Sequence, residues 1–207
     1  MRLMILNMSS LRWEMDQKNY IIHPSKFALW LFILTVIMIF GGMTSAYIVQ
    51  RGFLKPEQQI IFDLPPMLWT NLAVILGSSV TMQYAVWAGR NGQSRRALLG
   101  LLMTFALGII FLMGQFGAWL QMIESGLPMV DKRRIDNSVS FFYIFTGLHG
   151  AHIVAALIVL AVAIYRTGAA RIRSGNPYLL YELASIFWHF LTLLWVYLFI
   201  FLKYTQS

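Results

Sequence analysis

The stretch FFYIFTGLHGAHIVAALIVL, Phe141 to Leu160, places His149 and His152 three residues apart inside a run that is otherwise apolar and of membrane-spanning length. A second run, IFWHFLTLLWVYLFIF from Ile186 to Phe201, holds His189 in the same kind of surroundings. Ionisable side chains are expensive in hydrocarbon, so intramembrane histidines face protein and have a structural or functional reason to be there. The two runs therefore point to a helical membrane bundle with its chemistry inside.

Working outward, 58% of the 207 residues are hydrophobic and 12% are charged. The mean hydropathy is +0.66, well outside soluble globular composition. Five stretches are long enough to cross roughly 30 Å of hydrocarbon: Phe27 to Gln50, Pro66 to Ala88, Ala97 to Met122, Val139 to Tyr165 and Tyr178 to Lys203. Turn signals bound them: Arg51-Gly52 and Pro56, then Gly89-Arg90-Asn91-Gly92, then Gly126 and Pro128, then Ser174-Gly175-Asn176-Pro177. The expected fold is all-α, an integral membrane bundle of five transmembrane helices. One domain, 27–207, follows a cytoplasmic segment, 1–26, in which Glu14, Asp16 and Lys18 interrupt any apolar run. That segment does not read as a cleavable signal peptide.

The net charge of +8 lies in short connections between spans, where basic residues orient a chain in a bilayer. Nucleic acid is therefore not an expected partner. Ten basic residues fall on the side of the N-terminus, among them Arg90, Arg95, Arg96, Arg166, Arg171 and Arg173, against six on the other. The N-terminus is expected in the cytoplasm and the C-terminus outside. With no cysteine in the chain, thiolate metal ligation and disulfides are excluded.

His149 sits about ten residues into the fourth span and His189 about eleven into the fifth, both near 15 Å depth at 1.5 Å per residue. A metal or b-type haem between the two helices is geometrically conceivable, as in a membrane cytochrome. Against it, Glu182 is the only carboxylate near them, and ligating imidazoles usually lean on a carboxylate. The residues favour interhelical hydrogen bonds from each imidazole to a hydroxyl or carbonyl, with Thr146, Thr192, Ser140 or a neighbouring span as partners. Gln83, Gln115, Gln121, Asn71 and Ser78-Ser79 read as interhelical polar contacts as well. Small residues cluster at Gly41-Gly42 with Ser45-Ala46, at Gly77-Ser78-Ser79, at Gly114 with Gly117-Ala118, and at Gly147, Gly150 and Ala151. They predict close helix contacts. No phosphate-binding glycine loop, no nucleophile with its base and no paired intramembrane carboxylates are present, so the chain carries no recognisable catalytic site.

Several blocks resemble subunit III of the haem-copper terminal oxidases in its short five-helix form, which lacks the first two helices of the seven-helix version. WLFILTVIMIFGGMTSAYIVQR, Trp30 to Arg51, ends in the family's SAY-x-V-x-R pattern. Asn71 with Ser78-Ser79, then Thr104, Gly108, Phe111-Leu112 and Gln115, fit the next two helices. FYIFTGLHGAH, Phe142 to His152, is similar to the family's most recognisable block, and Glu182 with Trp188-His189-Phe190, Trp195 and Leu198-Phe199 to its last helix.

The resemblance implies a non-catalytic subunit of a proton-pumping terminal oxidase of aerobic respiration, in the inner (cytoplasmic) membrane. Its partners would be subunit I directly, subunit II and a small subunit IV, with a supercomplex with an upstream quinol-oxidising complex as a further expectation. Haems and copper would reside in those partners, and this chain would hold structural phospholipids. Their anionic headgroups would meet Arg90, Arg95, Arg96, Arg171 and Arg173. Thr146, His149, His152, Glu182, His189 and Gln115 would form a polar skeleton between helices. Subunit III of a quinol oxidase and an accessory of a nitric oxide reductase share the same expectations. The chain departs from the family at three carboxylate positions, which read Val36, Ala118 and Thr192.

Overall fold

The computed structural model describes residues 24–130, 136–170 and 178–206. Five long helices make up the fold: α1 Pro24–Gly52, α2 Met67–Arg90, α3 Ser94–Glu124, α4 Ser138–Ala170 and α5 Tyr178–Thr205. All five are long and apolar enough to cross a membrane. A short 3₁₀ turn, Pro56–Gln58, interrupts the connection between α1 and α2. The helix ends lie within about five residues of the expected spans, the largest extension being α4, which runs to Ala170 instead of Tyr165.

The turn signals act through backbone geometry. Gly92 and Gly126 have φ of 68° and 74°, the left-handed region that only glycine enters without strain. Each closes a helix with the same paired bonds: Gln93 N–H to Ala88 O and Gly92 N–H to Gly89 O after α2, Leu127 N–H to Met122 O and Gly126 N–H to Ile123 O after α3. These are Schellman closures, satisfying carbonyls the helix end would otherwise leave bare.

Helices α2, α3, α4 and α5 form a four-helix array, and α1 lies astride α4 and α5 without touching α2 or α3. The α2–α3 hairpin is the tightest pair. A Cβ on Gly100 would lie 2.9 Å from Ala85 Cα and 3.0 Å from its nitrogen, so only glycine lets the two backbones come this close. Trp188, Trp195, Phe111, Phe142, Phe145 and Tyr47 fill the centre. The patches at Gly41-Gly42 and Gly77 depart from expectation, because a Cβ at any of the three would meet nothing within 4 Å. Those glycines face outward, and the contact within this chain is made at Gly100, Gly108 and Gly114 instead.

Candidate functional site

His149 is fully buried on α4 and packs flat against α5. Its ring centre lies 4.9 Å from Trp195 with 31° between planes. Phe111 of α3 closes the cluster edge-on, 5.7 Å from His149 and 5.0 Å from Trp195. Among the described residues neither imidazole nitrogen has a hydrogen-bond partner, and the Trp195 indole nitrogen has none. One turn along α3 from Phe111, the buried amide of Gln115 is equally unpartnered. Asn71 of α2 presses its Oδ1 against Gly114, where any side chain would collide with it. Stacking thus replaces the hydrogen bond expected for His149, since aromatic faces occupy the space a hydroxyl would need.

His152, one turn on, donates from Nδ1 to Leu148 O of its own helix at 2.7 Å. A carbonyl only accepts, so Nδ1 carries the proton. Its ring sits between Phe32 and Phe40 of α1, at 6.1 and 5.9 Å. Val36 lies one turn from each of those phenylalanines and is buried with Phe40, whereas Phe32 is exposed. Val36 is therefore part of the apolar seam where α1 meets His152.

His189 faces elsewhere, toward α2. Its Nδ1 is 2.6 Å from Ser79 Oγ and its Nε2 is 3.2 Å from Gln83 Oε1. One tautomer serves both: the serine hydroxyl donates to Nδ1, and Nε2–H donates to the amide oxygen. Beside it, Trp188 Nε1 donates to Ser78 Oγ at 3.0 Å. His149 meets α5 at Trp195, six residues and about 9 Å beyond His189. The three imidazoles are not gathered around one point, and among the described residues no cluster of three His, Asp or Glu could hold a metal.

Thr146 stitches α4 to α3, donating to Phe142 O at 2.8 Å and accepting from Trp119 Nε1 at 2.9 Å. Thr192 bonds its own helix at Trp188 O, and Ala118 is wholly buried. Glu182 pairs with Lys26 at 2.8 Å, joining the starts of α5 and α1. Arg90, Arg95 and Arg96 are exposed together around the α2–α3 turn, with Arg96 donating to Gln93 Oε1. Arg171 and Arg173 lie outside the described residues.

Sequence reasoning missed a polar collar at the opposite end of the bundle. Arg51 donates to Tyr47 OH at 3.0 Å, to Gln59 Oε1 at 3.3 Å and to the carbonyl of Thr205. Gln206 donates to the same phenol oxygen and accepts from Phe62 N–H. Asp136, 2% exposed, accepts from Ile60 N–H at 2.7 Å, Ser138 N–H at 2.8 Å and Ser138 Oγ–H at 2.6 Å. It caps α4 and pins the α1–α2 connection to it. An Asp-Asn-Ser sequence before an apolar run is a helix-start signature that could have found it. Beside the collar a groove of about 570 Å³ opens between α1 and α5, walled by Tyr47, Ile48, Phe201 and Tyr204 with Arg51 at its rim.

The family model described as cytochrome c oxidase subunit III matches residues 12–207. The chain is 29% identical to cytochrome c oxidase subunit 3 of Synechocystis sp., over 86% of its own length and 75% of that protein. To a probable cytochrome c oxidase subunit 3 of Rickettsia felis it is 28% identical, over 83% of this chain but 65% of the longer relative. To a probable quinol oxidase subunit 3 of Staphylococcus saprophyticus it is 23% identical, over 89% of this chain and 90% of that one.

Proposed function

The chain belongs to the cytochrome c oxidase subunit III family, and from that premise we propose that it is the non-catalytic third subunit of a proton-pumping terminal oxidase, seated directly against subunit I. Membership of an oxidase subunit family implies a multi-subunit complex, and the five apolar helices make this a multi-pass membrane protein. In the proposal, subunit I holds haems and copper, and subunit II and a small subunit IV complete the complex. The inner membrane is its place, with the N-terminus in the cytoplasm. A supercomplex with a quinol-oxidising complex is the wider setting.

The family match over 12–207 carries this reading. The geometry supports the helper role: His152 and His189 are engaged within the chain, and aromatic rings enclose His149. In the proposal the polar skeleton of Thr146, His149, His152, Glu182, His189 and Gln115 keeps the helix contacts in register, so that subunit I is stabilised and proton and oxygen access to it is maintained. Structural phospholipids would lie against Arg90, Arg95 and Arg96 on one side and in the Arg51 groove on the other. A quinol oxidase is the second reading, favoured by the relative of that name in Staphylococcus saprophyticus.

The test is purification of the tagged chain in mild detergent with optical spectra of what accompanies it. A larger haem-copper subunit is expected to co-purify and to keep its haems when this chain is stripped off. Haem retained on the stripped chain would overturn the proposal. Turnover with reduced cytochrome c or with quinol then decides between the two readings.

A further inference from the structure

The two long faces of the molecule differ in chemistry. Because α1 straddles α4 and α5, it leaves a channel on either side. On one side the exposed residues along the middle of α4 are apolar, among them Ile144, Val154 and Ile158. On the other, α5 forms the floor between α1 and α2, and Ser79, Gln83 and His189 line it among Val80 and Leu193. Gln83 is exposed, and Ser79 and His189 are half-buried.

Depth makes this second channel unusual. Ser79 stands at the middle of α2 and His189 close to the middle of α5, so the pair lies near the centre of the bilayer, where no water competes. Only the amide oxygen of Gln83 is used within the chain, in the bond to His189. Its NH₂ group makes no hydrogen bond among the described residues. An acyl chain can cover Ile144 and Val154 without penalty, but it leaves an amide at mid-membrane depth unsatisfied.

We propose that the channel between α1 and α2, floored by α5, seats a transmembrane helix of another oxidase subunit that presents a hydrogen-bond acceptor to the Gln83 amide, while lipid covers the α4 face. The proposal rests on the reading of this chain as a subunit of an oxidase complex.

The natural absence of cysteine makes the test direct. Gln83→Cys and Leu193→Cys, with Met113→Cys and Val154→Cys as controls on other faces, are labelled with a maleimide photo-crosslinker in native membranes, and adducts are identified by mass spectrometry. Positions 83 and 193 are expected to capture a haem-copper oxidase subunit, and 113 and 154 lipid alone. Lipid-only adducts at 83 and 193 overturn the proposal. If 113 or 154 captures the oxidase subunit instead, the surface is wrong and the complex stands. If no position does so and no oxidase subunit co-purifies, the reading beneath it fails too. In a second measurement, Gln83→Leu is expected to leave the complex at a several-fold lower detergent concentration than the parent chain, and Gln83→Asn to restore part of the loss. Equal retention of all three counts against the proposal.

Discussion

The imidazole of His149 lies against the indole of Trp195, 4.9 Å between ring centres, with no hydrogen bond to either of its nitrogens. Its contribution is therefore shape and stacking. His149→Phe keeps the slab and removes two unpartnered polar atoms, so thermal stability in detergent is expected to stay level or rise. His149→Ala opens a cavity between α3, α4 and α5 and is expected to lower stability by about 3 kcal/mol. The haem spectrum of the complex is expected to stay unchanged in both.

Asp136 accepts three hydrogen bonds from two segments. Asp136→Ala removes the α4 cap and frees the α1–α2 connection, a loss of about 2 kcal/mol. Asp136→Asn keeps an acceptor for Ser138 but turns an NH₂ toward Ile60 N–H, so it is expected to retain the cap and lose the tether. Limited proteolysis within residues 53–66 distinguishes the two: both variants are cut faster than the parent chain, and only the alanine variant also loses helix content.

Val36 sits on the α1 face whose Phe32 and Phe40 hold the His152 ring. Val36→Glu places a carboxyl beside that imidazole, whose Nε2 is not engaged in the Leu148 bond. The single variant is expected to be tolerated through pairing, whereas combining it with His152→Leu leaves a buried acid alone, at about 3–5 kcal/mol. A double-mutant cycle on melting temperature measures the coupling; additive effects would show that the two side chains do not meet.

Lys26 and Glu182 are each close to 30% exposed, where ion pairs are screened. Lys26→Ala is expected to change stability by no more than about 1 kcal/mol, and less at high salt. A salt-independent loss larger than this would mean that the pair also orders the start of α1.

Gly100→Ala forces a methyl group onto the Ala85 backbone and is expected to cost about 2 kcal/mol by spreading α2 from α3. Adding Ala85→Gly should recover part of it, because the colliding Cβ is removed while the backbone contact remains.

The five spans were legible because hydrocarbon imposes a length and a composition that each stretch satisfies on its own. The side-chain partners were not, because they depend on the order of helices around the bundle. For His189 the sequence offers Thr146, Thr192, Ser140 or a neighbouring span without choosing among them, and the partners Ser79 and Gln83 come from the second helix of the fold, more than a hundred residues away. Small-residue patches locate where helices can approach, not which of them approach within one chain: Gly41, Gly42 and Gly77 are open and Gly100 is closed. The collar at Arg51, Tyr47 and Asp136 joins ends of elements, where no periodicity exists to reveal it.

Among the described residues helix α1 rests on α4 and α5 alone, and both leave the ribosome after it. At about 5–20 residues per second, the chain from Gly52 to Thr205 takes roughly 8–30 s to synthesise. Helix α1 thus finds its place only after α5 has been made, and until then lipid or an insertion factor must shelter it. The α2–α3 hairpin, with its own close backbone contact, can complete itself in the meantime. The α2–α3 pair can therefore assemble while α1 still waits for the helices that receive it.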